Sequence, residues 1–224
     1  MSGARYPQFC ALARAAEIVG ERWTLLAVRE LLLGPQRFSD LAARLTDVSP
    51  TVLTGRLNAL IDSGVVRRVV APPFKVPAYE LTESGRALKP AIYELIRWGG
   101  RFLFPMRPDD VFEPDWVLLG LDAVARRTPT PPHKIVLRVT HKKQAASFVV
   151  QGGPEGTTIV KGDGPGKATI EAPFDALLLL ISTDLPIDRA VADKRVAVEG
   201  SLAVARSLPR LFDLSERRGQ PASA

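Results

Sequence analysis

The chain has 224 residues, of which 46% are hydrophobic, 24% are charged and one is cysteine, and its formal net charge is +6. This length allows two hydrophobic cores of about 100 residues each. A single cysteine excludes an intrachain disulfide, and no apolar run approaches the roughly 20 residues of a membrane-spanning helix. Because the N-terminus also lacks a signal-peptide pattern, we expect a cytoplasmic protein.

Positive charge is concentrated in the first half of the chain. Residues 1–104 contain 14 Lys and Arg against 9 Asp and Glu. A nucleic-acid partner is therefore better supported for this half than for the rest.

The first predicted helix carries Cys10, which has two possible roles. It is either a small core residue on an amphipathic helix or an exposed thiol whose pKa is lowered with the aid of Arg14, one helical turn further on. The second role would make it a redox sensor.

Residues 38–81 predict two short helices followed by a basic hairpin. FSDLAARL has Ser39 as its N-cap and Leu41 and Leu45 on one face. Ser49-Pro50 then predicts a new helix start, because Ser caps free N–H groups and Pro at the first helical position has no N–H to leave unpaired.

The second of these helices, TVLTGRLNALIDSG, has two contrasting faces. Its apolar face consists of Leu53, Leu57, Leu60 and Ile61, and Gly64 ends the helix. The opposite face holds Thr51, Thr54, Gly55 and Asn58, whose small size allows a duplex to approach closely.

VVRRVV and AYEL predict two strands around the Pro-rich turn APPFKVP. The guanidinium and ammonium groups near these strands and helices are suited to DNA phosphates. The alternative is a small helical domain ending in a hairpin with solvated charges. The predicted DNA-contacting residues are Arg37, Ser39, Ser49, Thr51, Val52, Thr54, Gly55, Arg56, Asn58, Arg67, Arg68 and Lys75, with Arg44 as a further phosphate contact.

An apolar helical stripe follows the hairpin, and Pro90 is expected to kink this helix near its start. This helix has more apolar surface than one face of the domain can cover. The remaining apolar surface predicts either dimerisation or coverage by the rest of the chain. The residues predicted to form a dimer contact are Leu88, Ile92, Leu95, Ile96, Trp98 and Phe102.

The second half changes from helical to strand periodicity. After a Pro-rich linker, DWVLLGLDAVARR predicts a helix, and KIVLRVTH, AASFVVQGG, GTTIVKGDG and KATIEA predict an antiparallel meander with turns at GGPEG and GDGPG. The helix FDALLLLIS, a strand around KRVAVEG and an amphipathic ending, SLAVARSLPRLF, complete an α+β layer. The domain boundary falls either at Pro105 or at TPTPP, and we place it at the first.

Residues Cys10 to Trp98 closely resemble the HxlR-type winged helix-turn-helix regulators of bacterial transcription. The motifs are IVGERWTLLAVRELLLG, RFSDLAARL, SPTVLTGRLNALIDSGVVRR and YELT, followed by Gly85 and Leu88. The resemblance implies a dimer that places residues 51–58 in the major groove and the wing of residues 67–75 beside it. It also implies that Cys10 stands where some relatives sense oxidants. This chain departs from the family at Thr51 and Gly55, where members often carry long polar residues.

Residues 168–212 resemble the sterol-carrier-protein-2-like fold, in which a strand, a helix, an R-V-x-V-x-G strand end and a final helix occur in this order. The resemblance implies an apolar ligand between sheet and helices; the alternative is a packed core without a ligand. The predicted pocket residues are Trp116, Phe148, Phe174, Leu178 and Ile181.

Enzyme motifs and metal-binding spacings are missing from the sequence. His133 and His141 belong to no metal-spacing motif, and GDGPGKA has Ala168 where a phosphate loop needs Ser or Thr. We therefore predict no catalytic residues, no metal and no cofactor.

The sequence thus predicts an α+β protein with four segments. Residues 1–104 form a winged helix-turn-helix with a three-helix core, a β-hairpin wing and flanking dimerisation helices; residues 105–113 form a linker; residues 114–214 form a sterol-carrier-protein-2-like domain; and residues 215–224 form a disordered tail. The expected function is that of a dimeric repressor that binds operator DNA and senses a hydrophobic small molecule. The alternatives are a purely structural second domain with redox sensing at Cys10, or a lipid-binding protein with secondary DNA contact.

Overall fold

The computed structural model describes residues 5–70, 76–103, 105, 107 and 109–214. The predicted wing turn with Lys75 and the predicted disordered tail lie outside these residues. By internal packing the chain divides into two units, Met1–Ile92 and Tyr93–Ala224. The predicted segment boundaries remain predictions.

The first unit contains helices α1 (Ala11–Val19), α2 (Thr24–Leu32), α3 (Phe38–Arg44), α4 (Pro50–Asp62) and α5 (Glu83–Arg86) and the start of α6 (Lys89–Gly99). Strands β1 (Gln36–Arg37), β2 (Val66–Val69) and β3 (Ala78–Leu81) form a sheet in the order β1-β3-β2, with both pairs antiparallel. The winged helix-turn-helix prediction is confirmed, and β1 is a strand that it lacked. Fully buried side chains from α2, α3 and α4 form the core, among them Val28, Leu41, Leu53 and Leu57.

Two local predictions in this unit are wrong. Ser39 is not the N-cap of α3, because Arg37 occupies that position and the Asp40 carboxylate accepts the Arg37 backbone N–H at 3.4 Å. Pro90 does not kink a continuous helix: Ala87 and Leu88 separate α5 from α6, so Pro90 lies in the first turn of α6, where its missing N–H costs little.

The second unit begins within α6 and continues through a 3-10 helix (Gly100–Phe102) to α7 (Pro114–Val124). The Tyr93 hydroxyl donates to the Asp122 carboxylate of α7 at 2.5 Å. Burial, reinforced by this hydrogen bond, raises the pKa of Tyr93 well above its ordinary value. This contact attaches the later part of α6 to the second unit.

The strands of the second unit are β4 (Lys134–His141), β5 (Gln144–Gly153), β6 (Gly156–Lys161), β7 (Ala168–Pro173) and β8 (Ala197–Gly200), arranged as β6-β5-β4-β7-β8. Its remaining helices are α8 (Phe174–Ser182), α9 (Ile187–Ala192), α10 (Leu202–Ala205) and a 3-10 helix (Leu208–Leu211). Alternate residues of β4 enter one apolar core with side chains of α7 and α8, so sheet and helices form two layers. The α+β prediction is confirmed.

The predicted antiparallel meander holds only for β4 to β6, because β7 pairs with β4 in parallel. GDGPG is therefore a crossover and not a hairpin turn. A Cβ on Gly166 would lie 3.0 Å from a Val136 methyl and one on Gly164 3.7 Å from a Val149 methyl, so the crossover runs closely over the sheet face opposite the core. Gly162 donates to the Ser147 carbonyl and Lys167 to that of Lys134, which fixes both ends of the crossover.

Candidate nucleic-acid interface

Helix α4 presents one face to the core of the first unit and the opposite face to solvent. Ser49 caps its first turn by accepting the Val52 N–H at 3.3 Å, and Pro50 is its first residue, as predicted. Leu53, Leu57 and Leu60 are at most 1% exposed. The exposed residues lie on the other side: Thr51, Val52, Thr54, Gly55, Asn58 and Ala59. The polar face of α4 is therefore accessible to a binding partner, while its apolar face holds the helix on the domain.

The wing contacts α4 on one flank. Arg68 of β2 donates to the Asn58 Oδ1 at 3.1 Å, and its guanidinium lies 5.9 Å from the centre of the Tyr79 ring. Neighbouring Arg67 donates through Nε to Glu80 Oε1 at 2.6 Å, and its side chain is 62% exposed. Both arginines of β2 are thus exposed, but Arg68 contacts α4 whereas Arg67 pairs with Glu80 of β3.

On the other flank of α4, Arg56 extends to the turn between α1 and α2. Its Nη2 lies 3.0 Å from a carboxylate oxygen of Glu21, and its Nε is buried without a hydrogen-bond partner among the described residues. The prediction of Arg56 as a phosphate contact did not include Glu21, which is 35 positions away in the sequence. A phosphate would have to compete with this carboxylate.

Arg37 is paired within the protein in the same way. Its Nε lies 2.9 Å from Asp40, and the hydrogen bond between them lowers the pKa of Asp40 and raises that of Arg37. Ser39 is exposed beside this pair, and Lys75 lies outside the described residues. Because nearby carboxylates partly neutralise these cations, the interface carries less positive potential than its arginines suggest.

A buried carboxylate connects α2 to α3, the helix that precedes α4. Glu30 is fully buried, and its two oxygens lie 2.6 Å from Arg29 Nη2 and 3.3 Å from Arg44 Nη1. Arg44 was predicted to meet DNA phosphates; the structure shows it bound to this carboxylate. The cluster supports the packing of α3 beneath the interface.

Cys10 is exposed immediately before α1, so its interpretation as a core residue is wrong. The Arg14 guanidinium, expected to assist the thiol, is 2.9 Å from Glu17. Phe9 and Leu12, which the sequence interpretation did not single out, are also highly exposed. Two exposed apolar side chains therefore lie within two positions of Cys10 in the sequence.

The predicted dimer residues differ in exposure. Leu95, Trp98 and Phe102 are exposed, and the Trp98 and Phe102 rings make an edge contact with centroids 5.0 Å apart. Leu88 and Ile96 are half-buried and Ile92 is buried. The exposed surface lies mainly at the C-terminal end of α6 and in the turn after it.

The predicted ligand residues belong mostly to the core of the second unit. Phe148 and Ile181 are buried in it, and Phe174 packs against it, in edge contact with Phe112. Trp116 and Leu178 are half-buried. Two surface clefts of about 230 and 370 Å³ are lined by other residues, the first between α8, α9 and the segment 205–209 and the second beside β7 and β8.

Among the described residues, no group of three or more His, Cys, Asp or Glu side chains could hold a metal ion. Within the same part of the chain, no helix has the length and apolar character needed to cross a membrane.

Two family models match the chain: the HxlR-like helix-turn-helix at residues 18–106 and the SCP-2 sterol transfer family at residues 125–213. The regulator Rv3095 of Mycobacterium tuberculosis is 45% identical over 96 residues, which are 42% of this chain and 59% of that protein. YvaP of Bacillus subtilis is 40% identical over 41% of this chain and 86% of its own length. YodB of the same species is 36% identical over 41% of this chain and 82% of its own length. The reduced YodB structure has a TM-score of 0.38 and covers 45% of this chain and all of its own. All three are named HTH-type transcriptional regulators, and the match to Rv3095 leaves about two fifths of that protein unmatched.

Proposed function

This chain belongs to the HxlR-like helix-turn-helix family of transcriptional regulators, and from this premise we propose that it is a homodimeric repressor that places α4 in the major groove of an operator. The orientation of α4 carries the proposal. Its leucine face is buried, and its exposed face lies between the wing arginine Arg68 on one flank and Arg56 on the other.

Two copies of α4 must lie about one DNA turn apart to reach both half-sites of an operator. The exposed apolar side chains around Trp98 and Phe102 support a dimer contact that sets this distance. Because a single interface with partly neutralised cations binds DNA weakly, affinity depends on both copies binding together.

Substituting Arg67 with alanine tests the DNA contact. We expect weaker binding to all sequences and a shallower salt dependence, reduced by about one ion per protomer, because the Arg67 side chain of the wing is 62% exposed. Gel-shift titrations at several salt concentrations measure both quantities. Arg189→Ala, which removes a similarly exposed arginine paired with Asp193 in the second unit, is the matched control. An unchanged salt slope in Arg67→Ala would count against the wing as a DNA contact.

We further propose that the second unit binds an apolar effector, such as a fatty acyl chain or a sterol. The match to the SCP-2 sterol transfer family supports this role. The effector would act by changing the separation of the two α4 helices. The alternative is that the second unit is structural and that the exposed Cys10 thiol responds to oxidants.

One experiment distinguishes regulation by an apolar effector from regulation by oxidation of Cys10. If the second unit senses apolar molecules, oleate should weaken operator binding equally in the wild type and in Cys10→Ser. If Cys10 is the sensor, diamide should weaken binding in the wild type only. Gel shifts of both proteins with each reagent provide the comparison. Equal sensitivity of the two proteins to diamide would exclude the thiol, and no response to oleate would count against an acyl-chain effector.

A further inference from the structure

Gly55 lies in the middle of α4, where glycine is unfavourable. A glycine in a helix interior lowers helix formation by about fivefold relative to alanine. The other described glycines of the first unit, Gly20, Gly34, Gly64 and Gly85, have reasons within the chain. A Cβ on Gly85 would come within 2.2 Å of the Val65 carbonyl oxygen, and Gly64 has a φ of +71°. A Cβ on Gly55 would meet nothing within 4 Å, and its φ is outside the left-handed region. No contact or backbone angle in the described part of the chain therefore requires glycine at this position.

The neighbours of Gly55 on the helix surface form the rim of a shallow depression. Residues three and four positions away on a helix share one face, and here they are Thr51, Val52, Asn58 and Ala59. All four are exposed. Thr51, Val52 and Ala59 contribute methyl groups, so the depression offers apolar contact on three sides and one amide on the fourth.

The amide of Asn58 has a defined orientation. Its Oδ1 accepts a hydrogen bond from Arg68 at 3.1 Å, so its Nδ2 is directed to the other side as a donor. In the major groove, thymine presents the O4 acceptor beside its C5-methyl group, whereas cytosine presents an N4 donor and no methyl. A methyl next to an acceptor is the arrangement that complements a depression next to a donor.

We propose that Gly55 and Asn58 read one thymine in each half-site of the operator. The thymine methyl enters the depression at Gly55, and Asn58 Nδ2 donates to thymine O4. Arg68 is then a positioning residue that holds the amide with its donor outward. This proposal rests on the proposed function, because it assigns a base to the helix already placed in the groove.

The test uses the full-length protein, an operator obtained by selection from random DNA, and deoxyuridine in place of each thymine in turn. Deoxyuridine lacks only the methyl group, so at one position per half-site the wild type should lose about fourfold in affinity. Gly55→Ala should bind the thymine operator about tenfold more weakly and show no deoxyuridine penalty there, because the alanine methyl fills the depression. Asn58→Ala should lose the discrimination between thymine and cytosine at the same position.

The stability of Gly55→Ala provides an independent readout. Alanine should raise the melting temperature by about 2–4 °C, while DNA affinity falls. Gly120→Ala in α7 is the matched control, because a Cβ there also meets nothing within 4 Å. It should stabilise without changing the deoxyuridine penalty. A wild type that is insensitive to deoxyuridine at every thymine, or a Gly55→Ala variant that keeps the wild-type penalty, would overturn the proposal. If the wild type selects no DNA sequence at all, the proposed function falls together with it.

Discussion

Glu30→Gln is expected to lower the free energy of unfolding by about 3–5 kcal/mol. The Glu30 side chain has no exposed surface, and its carboxylate pairs with both Arg29 and Arg44, whose side chains are only 19% and 26% exposed. Glutamine has the same shape but no charge, so both partly buried guanidinium groups would lose the Glu30 carboxylate as an ion-pair partner. A buried ion pair adds little to stability by itself, but removal of one partner leaves an uncompensated charge.

Urea denaturation measures this change as a lower midpoint with an unchanged slope. Glu17→Gln is the matched control, because it removes the carboxylate of the exposed pair between Arg14 and Glu17. Solvent screens that pair, so its loss should shift the midpoint far less. If both variants shifted the midpoint equally, the burial of Glu30 would not be the source of its contribution. Since Arg44 ends α3, Glu30→Gln should also weaken operator binding.

Replacing both Trp98 and Phe102 with lysine is expected to convert the proposed dimer into a monomer and to reduce operator affinity by a factor of about 10²–10⁴. The two rings contact each other and are 56% and 63% exposed, so their area is available to a second copy of the chain. Two lysines would bring like charges together across a two-fold interface and prevent close packing. The loss of affinity would follow from the loss of the second α4 and would oppose the effect of the added positive charge.

Sedimentation velocity measures the oligomeric state, and gel shifts measure the affinity. Val160→Lys is the control, because Val160 is 60% exposed on the edge strand β6, where lysine is tolerated. It should leave both measurements unchanged. A double variant that stays dimeric and binds DNA as the wild type does would exclude this surface as the dimer contact.

Features that depend on a few neighbouring residues could be predicted from the sequence. The Ser49 cap and the buried leucines of α4 follow from capping and from the 3.6-residue period, and β4 has the predicted limits, Lys134–His141. Failures occurred where a distant residue decides the outcome. β1 has only two residues and exists because β3 lies beside it. The sequence that follows β6 does not indicate that the next strand, β7, pairs in parallel with β4.

The candidate interface shows the same division. From the sequence alone, the order of helix, capped helix and basic hairpin determined the class of protein and the face of α4 that is exposed, because periodicity and capping act within about four residues. Only the tertiary structure decided the partners of the arginines: Glu21 for Arg56, Asn58 for Arg68 and Glu30 for Arg44. These contacts join residues 10 to 35 positions apart. Packing brings distant charges together, and so it determined which cations pair with the protein's own carboxylates and which arginine donates to the amide oxygen of Asn58.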